Sequence, residues 1–391
     1  MAGLLLDIVS RAADIPVEDW QACAGTANPT VSHRFFVAME ESGSASARTG
    51  WKPQHLVART KEGRIAGILP AYLKSHSNGE YVFDYAWADA FERAGGDYYP
   101  KLQTCVPFTP VPGPRLLLAT PEAGPLLLAA AANAVENSGL SSAHATFIAP
   151  DQVALFEKAG WLIRTDQQFH WQNRGYASFQ DFLNQLASRK RKAIRKERAE
   201  ALASGLDIRC LSGADLREEH WEAMWRFYQH TGARKWGTPY LTRNAFTRLA
   251  ETMADETLLV LAYREGEAIA GALNFIGEDT LYGRYWGASE HHPFLHFEVC
   301  YYQAIDWAIS HGLARVEAGA QGEHKLARGY EPTPTYSAHW ISHPALRRAV
   351  ADFLEQERRS VAAGIEYLGQ FTPFRRGPVG GGGGEGEGDH D

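Results

Sequence analysis

The segments HLVAR (residues 55–59) and RIAGILPAY (64–72) indicate the fold, because a similar pair of segments occurs again later in the chain. The second pair is LVLAY (259–263) followed by AIAGALNF (268–275). Each pair is rich in strand-forming residues and is joined by an acidic residue and a glycine, Glu62-Gly63 or Glu265-Gly266. That pattern is typical of a β-hairpin. The sequence therefore predicts the same hairpin twice.

The two copies keep the same order of predicted elements after the hairpin. A third strand is predicted at YVFDY (81–85) and at TLYGRYW (280–286), then a helix at 126–138 or 297–311, then a strand at 145–148 or 315–318. A repeat this long indicates a duplicated domain and not a solenoid. We expect an α/β (α+β) fold with a first domain at 1–175 and a second at 176–374. A glycine-rich acidic tail at 375–391 is predicted to be disordered.

Composition limits the class of protein. The 391 residues carry a net charge of −7, which argues against a dedicated nucleic-acid binder. The 4 cysteines form no CxxC pair, so neither a zinc knuckle nor a disulfide framework is expected. The N-terminus is a poor signal peptide, and the longest apolar stretch, near 126–135, is too short to span a bilayer. We expect a cytoplasmic protein without an integral membrane segment, and the sequence does not indicate its oligomeric state.

Two segments of the second copy concentrate polar chemistry. The first, HFEVCYYQ (296–303), begins a helix with His296 and Glu298 close together, which suits acid–base catalysis. The alternative for Glu298 is a favourable interaction with the helix dipole. Cys300 is predicted to be structural, because it lies mid-helix among apolar residues.

The second segment, GAQGEHKLARG (319–329), follows a predicted strand, where open α/β sheets place ligands. Its glycines permit close approach of the backbone to a ligand. The alternative is a solvated surface loop. The polar side chains of this segment are Gln321, Glu323, His324, Lys325 and Arg328.

A third segment, YSAHW (336–340), reads as a strand whose His339 faces either the site or the core. The sequence lacks HxH, HExxH and cysteine pairs, so no metal site is expected. It also lacks a P-loop and a Gly-x-Ser-x-Gly elbow.

Between the copies lies the strongest charge run, RKRKAIRKER (189–198), which is either a solvated helix face or a phosphate clamp. A third interpretation is binding of nucleic acid, including a tRNA donor. The phosphate-binding candidates are Arg189, Lys190, Arg191, Lys192 and Arg195.

The sequence closely resembles the FemAB-like predicted N-acyltransferases of the GNAT superfamily. The resemblance is carried by the segments HFEVCYYQ, GAQGEHKLARG and YSAHW, with YWG (285–287) before them. The resemblance covers about residues 7 to 374. It implies tandem GNAT-like domains, each a mixed, mostly antiparallel sheet flanked by helices. FemAB relatives transfer amino acids from aminoacyl-tRNA to the peptide stem of a peptidoglycan precursor, and other members of the superfamily use acyl-CoA. The sequence contains neither an Arg/Gln-x-x-Gly-x-Gly/Ala loop nor a long heptad arm, so both donors stay open.

Acyl transfer to an amine needs a base for the acceptor and donors for the developing oxyanion. We expect no tightly bound cofactor, a co-substrate that is acyl-CoA or aminoacyl-tRNA, and a small-molecule or peptide amine as acceptor, with a cell-wall precursor peptide as one candidate. The alternative is a non-catalytic module that binds a peptide or sugar-nucleotide in the groove between the domains. The predicted catalytic residues are Glu323, His324, Glu298 and His296, and the predicted substrate-binding residues are Gln321, Lys325, Arg328, Tyr301, Tyr302, Gln303, Trp286 and His339.

Overall fold

A computed structural model describes residues 3–203, 205–235, 239–319 and 322–375 of the chain. The strands are β1 (Leu5–Val9), β2 (Trp51–Pro53), β3 (His55–Arg59), β4 (Ile65–Leu69), β5 (Ala71–Lys74), β6 (Lys101–Thr104), β7 (Leu117–Leu118), β8 (Ser142–Ile148), β9 (Leu162–Gln172), β10 (Asp207–Ser212), β11 (Thr257–Arg264), β12 (Glu267–Ile276), β13 (Thr280–Ala288), β14 (Arg315–Glu317) and β15 (Glu331–Ile341). The tail predicted for 375–391 lies, apart from Arg375, outside the described residues.

The helices surround these strands on both faces. A π-helical turn, Glu298–Tyr302, joins α10 to α11, and a 3-10 helix, Glu323–Arg328, precedes β15. The α-helices are α1 (Val17–Ala24), α2 (His33–Glu41), α3 (Tyr85–Arg93), α4 (Ala123–Asn137), α5 (Val153–Lys158), α6 (Phe179–Gln185), α7 (Ser188–Leu202), α8 (Glu218–Lys235), α9 (Arg243–Thr252), α10 (Leu295–Phe297), α11 (Gln303–Ser310) and α12 (Pro344–Gly369).

Both predicted hairpins are present. Leu56 of β3 lies opposite Leu69 of β4, and Leu259 of β11 lies opposite Leu273 of β12. In the second hairpin Glu265 and Gly266 both have positive φ, 54° and 87°. A two-residue loop of this kind matches the right-handed twist of the strands that it joins, which explains why the acidic-glycine signal was informative.

The copies differ after the hairpin, and the third strand predicted at 81–85 is absent. Tyr81 has a φ of 61°, which an extended strand does not allow, and α3 starts at Tyr85. Glu80 and Asp84 are instead buried as ion-pair partners of Lys101. The corresponding strand of the second copy, β13, forms as predicted.

The strands form a 4-stranded sheet, β1-β3-β4-β7, and an 11-stranded sheet, β10-β11-β12-β13-β14-β9-β15-β8-β6-β5-β2. Neighbours are antiparallel except in the β13–β14 and β6–β8 pairs. β9 lies between β14 and β15, and β15 lies between β9 and β8. Each half of the chain therefore contributes a strand beside strands of the other half. The boundary at residue 175 stays a prediction, since the large sheet continues across it.

The core beneath the second half is strongly aromatic. Trp171 of β9, Tyr302 of the π-helical turn and Tyr330 before β15 are fully buried in one cluster. Burial of a large apolar side chain stabilises a fold by about 1.5–3 kcal/mol. This cluster holds the π-helical turn and the 3-10 helix against the sheet. In the described part of the chain, no helix is both long and apolar enough to cross a bilayer.

Candidate active site

A cleft opens where two parallel strands separate. β13 pairs with β14 only where Thr280 to Tyr282 lie opposite Arg315 to Glu317. β14 ends at Glu317, whereas β13 continues to Ala288. The gap lies at the carboxyl ends of the parallel strands, which is where α/β sheets commonly bind ligands.

A β-bulge places Arg284 at this gap. Asn274 pairs with Gly283 and Leu273 pairs with Tyr285, so Arg284 is the extra residue of β13. Its Nη2 donates to the carbonyl oxygen of Phe108, in the first half, at 2.6 Å. Arg284 therefore links the two halves of the chain at the wall of the cleft.

The cleft has a volume of about 460 Å³ and is lined by both halves. Tyr81, Phe83 and Pro110 come from the first half. The second half supplies aromatic and cationic side chains from α8, β13, the π-helical turn and the 3-10 helix. The groove predicted between the halves thus exists, and predicted site residues that line it are Trp286, His296, Tyr301, His324 and Lys325.

Two imidazoles and a phenol meet in this cleft. The ring centroids of His296 and His324 are 6.2 Å apart, and the Tyr301 hydroxyl lies 2.9 Å from Nε2 of His324. Burial raises the pKa of Tyr301 far above its ordinary value, so the hydroxyl keeps its proton at neutral pH. The edge of His296 packs on Trp286, with ring centroids 5.0 Å apart. The arrangement can accept and donate protons inside the cleft.

Lys325 brings a buried amine to the same cleft. Its side chain is 2% exposed, and Nζ donates to the carbonyl oxygen of Gly319 at 2.9 Å. Burial lowers the pKa of Lys325 to about 8, and no carboxylate of the described residues opposes that shift. The ammonium form is therefore available near neutral pH.

Glu298 lies behind the cleft and not in its lining. The carboxylate is fully buried and accepts from Arg198 Nη2 at 2.9 Å and from Gln303 Nε2 at 2.7 Å. The amide of Gln303 is thereby used to hold Glu298. The base role predicted for Glu298 stays a prediction, and the ion pair gives this carboxylate a structural partner.

Tyr302 and Arg328 share a half-buried partner, Glu197 of α7. The Tyr302 hydroxyl donates to the Glu197 carboxylate, and Arg328 Nη2 donates to it at 2.9 Å. Arg328 also donates to the carbonyl oxygen of His324 at 2.7 Å and stacks on Phe297, 3.4 Å from the ring centroid. These contacts fix the 3-10 helix that carries His324 and Lys325.

The structure does not bring His339 to this cleft. His339 is buried on β15, where Nδ1 lies 2.7 Å from Nδ1 of His144 and Nε2 lies 3.0 Å from the Ser337 hydroxyl. Burial lowers the pKa of His339 well below its ordinary value. Of the two alternatives left open by the sequence, this placement is that of a core histidine. Gln321 and the side chain of Glu323 lie outside the described residues.

The basic run forms α7, which packs on the π-helical turn through Glu197 and Arg198. Arg195 Nη2 donates to Gln180 at 2.8 Å. The phosphate-binding candidates lie on the exposed or half-buried part of the helix, and within the described ranges no carboxylate forms a salt bridge with Arg189, Lys190, Arg191, Lys192 or Arg195.

Sequence reasoning missed three functional candidates. Arg284 gave no signal, because nothing in TLYGRYW (280–286) marks a bulge. Tyr81 was assigned to a strand. Glu317, at the end of β14, is buried, and its Oε2 has no hydrogen-bond partner among the described residues. Burial raises the pKa of Glu317 to about 7. A carboxylate at the end of a predicted strand was the available signal.

The chain belongs to the FemAB-like family, described as peptidoglycan biosynthesis/recognition, whose model matches residues 11–376. The predicted resemblance and fold class are thereby confirmed. Membership supports a transferase with a role connected to peptidoglycan. No curated protein matches the chain.

Solved structures with a similar fold include FemX, at 11% identity and a TM-score of 0.51, covering 88% of this chain and 100% of FemX. L-PGS from Bacillus licheniformis has 10% identity and a TM-score of 0.49, with 90% and 99% of the two chains covered. A tandem GNAT protein from the clavulanic acid biosynthesis pathway has 14% identity and a TM-score of 0.43, with 88% and 99% covered. At such identities the likeness to FemX shows the fold alone.

Proposed function

We propose that the protein is an N-acyltransferase that moves an acyl or aminoacyl group onto an amine acceptor in the cleft between its halves. The observation that carries this proposal is the meeting of the Tyr301–His324 pair and Lys325 in one cleft. The first can move protons, and the second can stabilise negative charge on oxygen.

His324 serves as the base in this mechanism. An amine acceptor is mostly protonated near neutral pH and loses one proton to solvent before its nitrogen can attack the donor carbonyl. His324 removes the second proton from that nitrogen as the C–N bond forms. An imidazole is suited to that step. His296, whose ring lies 6.2 Å from that of His324, is placed to orient the acceptor through a hydrogen bond.

Attack forms the new C–N bond and moves an electron pair onto the carbonyl oxygen. Lys325 supports that oxyanion with its ammonium group, which Gly319 holds at 2.9 Å. When the intermediate collapses, the bond from the carbonyl carbon to the leaving oxygen or sulfur breaks. Tyr301 gives its proton to the leaving group and regains one from His324, so the proton taken from the amine ends on the leaving group.

The donor is an acyl-CoA or an aminoacyl-tRNA, neither held as a resident cofactor, and both carry phosphates. The exposed basic part of α7 is suited to contact those phosphates, because its arginines and lysines have no described carboxylate partners. FemAB-like membership favours a cell-wall precursor peptide as the acceptor. The residues proposed for donor phosphates are Arg189, Lys190, Arg191, Lys192 and Arg195.

The test incubates the purified chain with peptidoglycan precursor and either mixed aminoacyl-tRNA or mixed acyl-CoA, and detects the acylated acceptor by mass spectrometry. Tyr301→Phe and His324→Ala should lower the rate strongly, while His291→Ala, an exposed histidine outside the cleft lining, should not. Tight precursor binding without transfer from either donor would instead favour the binding-module alternative.

A further inference from the structure

The cleft has an unusual balance of charge. Its described lining contains Arg284 and Lys325 but no aspartate or glutamate. His296 and His324 are its other basic groups. A cleft that holds cations without anions attracts a negatively charged ligand, and its low-dielectric walls strengthen the attraction.

The tyrosines of the lining do not supply the missing negative charge. Burial raises the pKa values of Tyr81, Tyr228, Tyr285 and Tyr301 above their ordinary range. These phenols stay neutral at physiological pH and act as hydrogen-bond donors. Tyr240, half-buried at the rim, has a raised pKa for the same reason.

The two cations are fixed in place by backbone carbonyls and not by carboxylates. Nη2 of Arg284 donates to Phe108 at 2.6 Å, and Nζ of Lys325 donates to Gly319 at 2.9 Å. Glu317 interacts electrostatically with Arg284, but it lies outside the lining of the cleft. Its closer partner is Arg315, whose Nε is 3.2 Å from Oε1 of Glu317. A carbonyl dipole does not neutralise a full positive charge, so Arg284 and Lys325 both remain cationic.

We propose that the cleft binds an oxyanion of the substrate, a carboxylate or a phosphate ester, between Arg284 and Lys325. The inference rests on the proposed function in assigning the oxyanion to a substrate of acyl transfer. It adds a substrate class, because the molecule that enters the cleft carries a negative group close to the reacting centre. An acceptor with a carboxylate beside its amine meets this requirement, and so does a donor whose phosphate lies near the carbonyl.

Anion binding should be coupled to proton uptake. Lys325 is about half protonated at pH 8 in the empty cleft, since its pKa is about 8. An adjacent anion favours the ammonium form and raises that pKa. Binding at pH 8 therefore takes up a fraction of a proton from the buffer.

The test is isothermal titration calorimetry of the full chain with sodium phosphate or sodium acetate at pH 8, against sodium chloride of the same ionic strength. Titrations in HEPES and in Tris, which differ in ionisation enthalpy, give the number of protons taken up. We expect saturable binding of at least one oxyanion and proton uptake in the wild-type protein. Arg284→Gln should weaken binding at least tenfold.

Lys325→Gln should abolish proton uptake, and Arg348→Gln, an exposed arginine of α12, should change neither quantity. Binding of phosphate alone assigns a phosphate ester, and binding of acetate alone assigns a carboxylate. If neither anion exceeds chloride, or if proton uptake is as large in Lys325→Gln as in the wild-type protein, the proposal is wrong. Since no transfer is needed for these measurements, a chain that binds the anion but acylates nothing would overturn the proposed function only.

Discussion

Arg198 of the basic helix α7 forms a buried ion pair with Glu298 of the π-helical turn, with Nη2 2.9 Å from Oε1. The arginine also stacks on Phe179, 4.3 Å from the ring centroid. The segment that supplies His296 and Tyr301 to the cleft is thereby attached to the helix that carries the basic run. A mutation at the pair will disturb both.

Loss of one partner of this pair should destabilise the fold. Glu298→Ala removes the buried carboxylate from Arg198, which is 21% exposed and also lies 3.5 Å from Asp306. The loss should therefore be about 1–3 kcal/mol. Urea unfolding measures the loss. The double variant Arg198→Met, Glu298→Leu should recover most of it, because neither charge remains. A Glu298→Ala protein of unchanged stability that has lost transfer would instead favour the predicted base role.

Tyr301→Phe and His324→Ala should each lower the transfer rate about 10²–10⁴-fold, because each interrupts proton transfer. If the two residues act as one pair, the double variant should be little slower than the slower single variant. Single-turnover kinetics give the three rates. If the fold loss in rate of the double variant equals the product of the two single fold losses, the residues act independently.

The lowered pKa of Lys325 predicts that the transfer rate falls at alkaline pH, which gives the plot of rate against pH an alkaline limb. Its pKa is lowered to about 8 by burial, so the ammonium that supports the oxyanion is lost as pH rises through that value. Lys325→Arg keeps its charge to a higher pH, and the limb should move upward or vanish. Measurement of kcat/KM, which reports the ionisation of the free enzyme, between pH 6 and 10 tests this. An unchanged limb would show that another group titrates.

Glu317 predicts a stability that depends on pH. Burial raises the pKa of Glu317 to about 7. At pH values between the ordinary pKa of a glutamate and about 7, Glu317 therefore holds a proton in the folded chain but not in the unfolded chain. Its contribution to stability therefore falls as pH rises through this range. Glu317→Gln should be more stable than the wild-type protein at pH 8, by roughly 3 kcal/mol, and should lose that advantage near pH 4.5.

Urea unfolding at the two pH values provides the measurement for Glu317→Gln. Glu366→Gln, an exposed position of α12, is the matched control and should show the same pH dependence as the wild-type protein. Equal stability differences at both pH values would contradict the assignment of a raised pKa to Glu317.

The basic part of α7 predicts binding that depends on salt if the donor is tRNA. Replacing Arg189, Lys192 and Arg195 by Gln should reduce the slope of log K against log salt by about 2 to 3. Filter binding with bulk tRNA measures the slope. The control is a triple variant that should keep the wild-type slope. It has three exposed arginines elsewhere replaced by Gln, namely Arg64, Arg93 and Arg348. Equal slopes for the two triple variants would rule out contacts by α7.

The sequence by itself determined the local elements of the fold. The repeated hairpins, the helix of the basic run and the strand at 336–340 follow from turn residues and apolar periodicity, which act within a few residues. The cluster of polar residues after β14 was also visible, because a ligand-binding loop leaves charged side chains between glycines. The resemblance of those segments then identified the FemAB-like family, which the family match confirmed.

Only the tertiary structure decided which of those polar residues meet. Periodicity reports that a side chain is buried but not its partner, so it could not separate Glu298, paired with Arg198, from His324, which lines the cleft. It could not place β9 between β14 and β15, since that order depends on pairing between distant segments. The bulge at Arg284 and the left-handed backbone of Tyr81 are likewise backbone features that the neighbouring residues of the sequence do not mark.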